Sequence, residues 1–314
     1  MIKNQASHLN MNKLFLIIFC LIPCSLIAQQ VELFDENLSR FHNIRDFCIT
    51  SNGNEAYFTI QSPSQELSQI VVIKKINDKW SEPQLLPFCD EYSYLEPFLS
   101  CNGNKLFFAS NRPFKDSVQV KKDFDIWYVE RKNVNEKWSE PINLGSNVNS
   151  KSDEFYPSLS ENNNLYFTKE SSLGLGKDDL FFCRWDGNKY SAPELLNTNI
   201  NSDGYEFNAF IAKDESFLLY TKYNAAGGFG SGDLYLARKN SLGEWQKAEN
   251  IGHKVNTKFM EYCPYYDAEN ETLYFTSRRD ELTTKKFANL AEFQSYISNG
   301  ANGLSKIYKV KIKF

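Results

Sequence analysis

The sequence predicts an all-β protein, a five-bladed β-propeller of four-stranded antiparallel blades. Three observations predict it. An apolar, aromatic run ending in a small residue recurs five times, with its last aromatic at Phe58, Phe108, Phe167, Tyr220 and Phe275. Turn-forming Asn and Gly precede several of these runs. The fifth repeat stops one strand short, while a strand-like segment opens the chain beyond its leader. Intervals of 50, 59, 53 and 55 residues between the anchors suit one blade each with modest insertions.

Composition agrees with a folded, exported chain. Of 314 residues, 42% are hydrophobic, 15% aromatic and 24% charged, which excludes disorder; a net charge of −4 is no footprint for nucleic acid. At the N-terminus Lys13 precedes the apolar run Leu14 to Ile27, and Ala28 suits cleavage, so residues 1–28 read as a signal peptide. Met11 gives a more compact start than Met1. The run is short for a bilayer span, and no transmembrane segment is expected once it is removed. Cys24, after Leu21-Ile22-Pro23, is the alternative lipid anchor, with Pro23 a poor fit. The mature chain is expected in the periplasm or at the cell surface, as a monomer or part of an envelope complex.

Residues 29–314 then form one propeller, with repeats near 41–90, 91–150, 151–202, 203–257 and 258–314 plus 29–40. In each repeat a first strand leads through a tight polar turn, such as Asn52-Gly53 or Asn102-Gly103, into the anchor strand. A third run follows, as in Ile126-Trp127-Tyr128-Val129. A fourth begins with an aromatic and usually a proline, as in Trp80-Ser81-Glu82-Pro83 and Trp138-Ser139-Glu140-Pro141, which suits an outermost edge. Repeat five ends at Phe314 after its third strand, and Val31-Glu32-Leu33-Phe34 is the expected fourth, closing the ring and removing its open edges.

The phrases Asp153-Glu154-Phe155-Tyr156-Pro157-Ser158, Leu106-Phe107-Phe108-Ala109-Ser110-Asn111-Arg112 and Trp138-Ser139-Glu140-Pro141-Ile142-Asn143 resemble the WD40-like β-propeller repeat of the TolB type, common in envelope proteins of Bacteroidetes-like bacteria. The likeness covers essentially residues 31–314. It implies the fold and leaves the function open, since one fold hosts many activities.

Every large insertion joins a second strand to a third, the longest running from Arg278 to Lys306, so the long loops gather on one face. The opposite face is expected to build little from its short turns. The longest insertion reads as a helix over about 284–298, with Phe287, Leu290, Ala291 and Ile297 on one stripe; it either covers propeller surface or binds a partner. Phe229, in a glycine-rich segment lacking the Lys-Ser/Thr of a phosphate loop, is a candidate ligand contact.

Glu154, Glu206 and Glu261 occupy matching positions before the innermost strands of repeats three to five, where repeat two has Tyr94 and repeat one Ile44. Carboxylates converging on the axis would hold a cation such as calcium or bind sugar hydroxyls; alternatively each locks neighbouring backbone, as the resemblance implies for ordinary blades. Arg112 and Arg278 either grip an anionic ligand or pair between blades. With only His42 and His253 in the mature chain, a three-histidine zinc site is impossible and no histidine lies beside a nucleophile motif. Five mature cysteines without a CxxC pair read mostly as small buried hydrophobes. No cofactor is expected. The leading expectation is a non-catalytic module binding an envelope protein or glycan; the alternatives are a glycoside hydrolase using axial carboxylates and a structural subunit of an envelope complex.

Overall fold

The computed structural model describes residues 30–114 and 123–314; the segment read as a signal peptide, Cys24 and part of the blade 2 insertion lie outside the described residues. Five four-stranded antiparallel blades form the ring. Their innermost strands are Asn43–Ile49, Tyr94–Leu99, Glu154–Leu159, Glu206–Ile211 and Glu261–Asp267. The anchor aromatics occupy the second strands, and Phe58, Phe108, Phe167, Tyr220 and Phe275 are all fully buried. Their recurrence therefore records the packing of blade upon blade, each aromatic removing a large apolar area from water.

The outermost strands are only two residues long, Gln84–Leu85, Ile142–Asn143, Glu194–Leu195 and Glu249–Asn250, and each begins after the expected aromatic, with proline between them in three of the four and Ala248 in the last. Proline cannot donate to the ladder. The aromatic instead bridges back: Lys79–Trp80 pairs with the third strand of blade 1, and Trp185–Tyr190 and Lys239–Trp245 form isolated bridges.

The fifth blade is completed by the N-terminal segment. Glu32–Leu33 pairs antiparallel with Lys306–Lys311, Glu32 opposite Lys309 and Leu33 opposite Tyr308. The amide of Phe34 continues the ladder to the Ile307 carbonyl at 2.9 Å. The Phe34 ring then lodges among Phe47 (4.7 Å), Trp80 (5.6 Å) and Tyr274 (5.8 Å), so one side chain joins blade 5 to blade 1. Beneath it the buried ammonium of Lys306 donates to the carbonyls of Ser39 and Phe41, and burial pulls its pKa down to about 8.

Two expectations change. The helix spans Leu290–Ser298 and starts later than predicted, because Asn289 caps it by accepting from the Glu292 amide at 2.9 Å. None of its residues is buried, so it does not cover the propeller; Phe293 and Tyr296 pack on Phe287 of their own insertion. The short-turn face, expected to build little, encloses a cavity of about 660 Å³, because Phe217, Tyr266 and Phe314 raise walls that the turns alone would not. All five cysteines among the described residues are free, with Cys48, Cys183 and Cys263 buried.

Replacing Phe34 by Ala is expected to cost about 3–5 kcal/mol, and deleting residues 30–38 more. Urea melts read by tryptophan fluorescence check both, and an unchanged midpoint in the deletion would contradict strand-mediated closure.

Candidate functional site

Each innermost strand carries a bulge at the same place. The register slips between Arg45 and Cys48, Leu95 and Phe98, Phe155 and Ser158, Phe207 and Phe210, and Tyr262 and Tyr265. The first bulged residues, Asp46, Glu96, Tyr156, Asn208 and Cys263, all adopt positive φ between 52° and 61°. This conformation costs a non-glycine residue about 1–2 kcal/mol. A bulge also frees a backbone amide from its ladder. The amides of Asp46, Glu96 and Asn208 cross to the hydroxyls of Thr276, Thr59 and Thr168 in the preceding blade, at 3.3, 3.1 and 3.0 Å. The threonine that ends three of the five anchor runs is thus a clasp between blades, whereas the Thr221 hydroxyl of blade 4 is buried without a partner. Blade 2 has Ala109 there, and the Tyr156 amide turns instead to the Glu96 carboxylate at 2.7 Å.

The bulges aim these side chains at the axis, where they form a buried polar layer. The Arg45 guanidinium donates to Asp46 Oδ1 (2.6 Å) and Glu96 Oε1 (2.8 Å). The Cys263 thiol donates to Asp46 Oδ1 at 2.8 Å. Burial pushes that thiol well above its ordinary range, against the pull of Arg45, so it stays protonated. Asn208 Nδ2 approaches Glu96 Oε1 at 3.4 Å, and Tyr156 donates its hydroxyl to the Pro264 carbonyl at 3.0 Å. Asp46 is 1% exposed and Glu96 3%. Burial, opposed by Arg45 and reinforced by Asp46, raises the Glu96 pKa to about 7.

Above this layer, on the long-loop face, lies a cavity of about 440 Å³. One residue per blade surrounds it, immediately before each bulge: Arg45, Leu95, Phe155, Phe207 and Tyr262. Phe124, Met260 and Arg278 rise around it. Phe124 and Phe155 are in ring contact at 5.1 Å, and Arg278 lies 5.7 Å over Tyr262. Three half-buried rings, Phe124, Phe155 and Phe207, and the buried Tyr262 therefore line one concavity with two guanidiniums, the amide of Gln65 and the carboxyls of Glu66 and Asp178.

The sequence-predicted residues are distributed differently. Glu154, Glu206 and Glu261 are buried, each serving its own loop: they accept from the backbone amide and hydroxyl of Ser150 (3.1 and 2.6 Å), Ser202 (3.0 and 2.5 Å) and Thr257 (2.7 and 2.8 Å). Lys169, Lys222 and Arg279 pair with them in turn. The preceding Asn149, Asn201 and Asn256 grip the third strand of the blade before, through Ile126, Leu180 and Leu234. These three glutamates do not line the axial cavity, and no group of three or more His, Cys, Asp or Glu is placed to hold a metal among the described residues. Tyr94 is buried and donates to Asp90 at 2.7 Å. Arg112 lies over the Trp127 ring. Phe229 stacks edgewise on His253. Only Arg278 reaches the cavity, held by Gln65 at 2.7 Å and Ser305 at 3.2 Å. Sequence reasoning missed the axial set because the bulge moves the inward position two residues beyond the glutamates; the available signal was Asp46 and Glu96 standing at matching places.

The fold is that of a five-bladed propeller, and known structures agree. No protein-family model and no curated protein matches the chain. In fold it is similar to BT0996, solved as an RGII complex, at TM-score 0.56 and 9% identity over 90% of each protein. It is also similar to the catalytic domain of the Coprinopsis cinerea GH62 α-L-arabinofuranosidase, at TM-score 0.53 and 10% identity over 90% of this chain and 93% of that one. Likeness to a putative TolB from Agrobacterium tumefaciens has TM-score 0.48 and 9% identity, over 82% and 80%. Such distances show architecture alone and leave binding and catalysis undistinguished.

Because the Glu96 pKa rises from an ordinary 4.5 unfolded to about 7 folded, the folded chain binds more protons between those values. Stability is therefore expected to fall as pH rises across that window and to level above it. Thermal melts from pH 4.5 to 8 check this, and Glu96→Gln should flatten the slope.

Proposed function

We propose that the chain is an exported, non-catalytic propeller of the WD40-like, TolB type, a binding module of the cell envelope that recognises a glycan through its long-loop face. The observation that carries this reading is the contrast between floor and wall of the axial cavity. The carboxylates at the floor, Asp46 and Glu96, are sealed at 1% and 3% exposure with their oxygens met by protein donors. The wall offers aromatic rings beside guanidinium and amide groups, with the carboxyls of Glu66 and Asp178 among them. Aromatic planes with a few convergent polar groups suit the apolar faces and hydroxyls of a sugar, and a concavity of about 440 Å³ suits a small ligand better than a flat protein surface. Acid–base chemistry needs a carboxyl within reach of a bound sugar; Glu66 and Asp178 also line the cavity, while the buried Asp46 and Glu96 are already engaged by Arg45.

Affinity electrophoresis of the mature protein against envelope and plant polysaccharides, with product analysis alongside, tests the reading. Binding without turnover is expected. Phe155→Ala combined with Phe207→Ala, and separately Arg278→Ala, should each weaken it roughly tenfold, about 1.4 kcal/mol. Turnover that vanishes in Glu96→Gln would replace the module by a glycoside hydrolase. Crosslinking in intact cells that captures one envelope protein, with no polysaccharide bound, would shift recognition to a protein partner.

A further inference from the structure

The two mouths of the ring differ in chemistry as well as loop length. The short-turn mouth opens into the larger cavity, about 660 Å³, within the roughly 300–1,000 Å³ range of small-molecule sites. Its floor is an aromatic array: Phe98, Phe210 and Tyr265 contact one another with centroids 5.3 to 6.3 Å apart. Phe217, Tyr266 and Phe314 continue the array up one wall, with centroids 5.0 to 5.8 Å apart. The two tyrosines bring no free hydroxyl into it, since Tyr265 donates to the Ile49 carbonyl and Tyr266 to that of Ile312, both at 3.1 Å. The depth of this cavity therefore rewards apolar surface and offers little to a buried polar group.

Charged side chains of both signs also line the cavity. Lys213 pairs with Glu269 at 3.4 Å, bringing together the turns of blades 4 and 5, and Lys313 pairs with Glu271 at 3.1 Å. These pairs are about half exposed or more and screened by water. A rim so balanced selects no strong net charge. A contiguous array of rings lining a concavity of this size, with polar groups beside it, is the pattern of a small-molecule site.

We propose that this cavity is a second ligand site, for a single small amphiphile with a flat, ring-bearing apolar body and an uncharged or zwitterionic polar end. The body lies on Phe98, Phe210 and Tyr265, and the polar end stays in water beside Lys213 and Glu269. The site is separate from the long-loop cavity, on the other side of the buried polar layer, and stands whether or not glycan binding does.

Fluorescence titration of the mature protein with N-phenyl-1-naphthylamine, a neutral ring-bearing probe, tests it. About one probe per chain is expected, with enhanced emission. Ala268→Trp places a ring at the exposed rim of the mouth and should weaken probe binding at least tenfold while leaving the melting temperature and any glycan binding as they were. Arg278→Ala, on the far face, should leave the probe titration unchanged. Absence of enhancement, or titrations of wild type and Ala268→Trp that superimpose at equal melting temperature, would overturn the proposal. So would enhancement that appears only with a concentration-dependent dimer in gel filtration, which would assign the mouth to a second copy of the chain.

Discussion

A small ring of sheets crowds its innermost strands, and each strand here relieves the crowding with one bulge. That bulge is the constraint from which the rest follows. It leaves a backbone amide without a ladder partner in a place water does not reach, where an unmet donor is costly. Threonine hydroxyls of the preceding blade meet it in three of the five blades, and Glu96 meets it where Ala109 has no hydroxyl. Blade is thereby bonded to blade at the axis, and a carboxylate enters the centre of the protein for a structural reason.

Once there, Glu96 and Asp46 need a counter-charge. Arg45 supplies it from the position just before its own bulge, bridging blades 1 and 2. The Cys263 thiol and Asn208 amide complete the layer from blades 5 and 4. The same layer divides the axial space in two. Above it stand rings with guanidiniums, and below it an array of rings whose tyrosine hydroxyls are already bonded. The fold thus presents two chemically distinct concavities on one ring of blades.

Closure at the periphery complements clasping at the axis. The pairing of Glu32–Leu33 with Lys306–Lys311 is only two residues wide, but Phe34 and Lys306 extend it into the neighbouring blade. An edge that would otherwise invite another chain is covered by the chain's own beginning.

Five blades, their order and their joint were legible in the sequence, because burial between blades demands an aromatic at one place in every repeat and periodicity survives in one dimension. The crowding of long connections on one side was legible for the same reason. The glutamates before the inner strands were visible too, but their partners Ser150, Ser202 and Thr257 make them braces of single loops. Which side chains meet at the axis was decided only in three dimensions: a bulge reverses the inside-outside alternation without altering residue type, and Asp46, Glu96, Asn208 and Cys263 come from four repeats up to 217 positions apart. The short-turn cavity was likewise hidden, since its walls come from strand ends and the chain terminus, and their convergence leaves no local pattern to read.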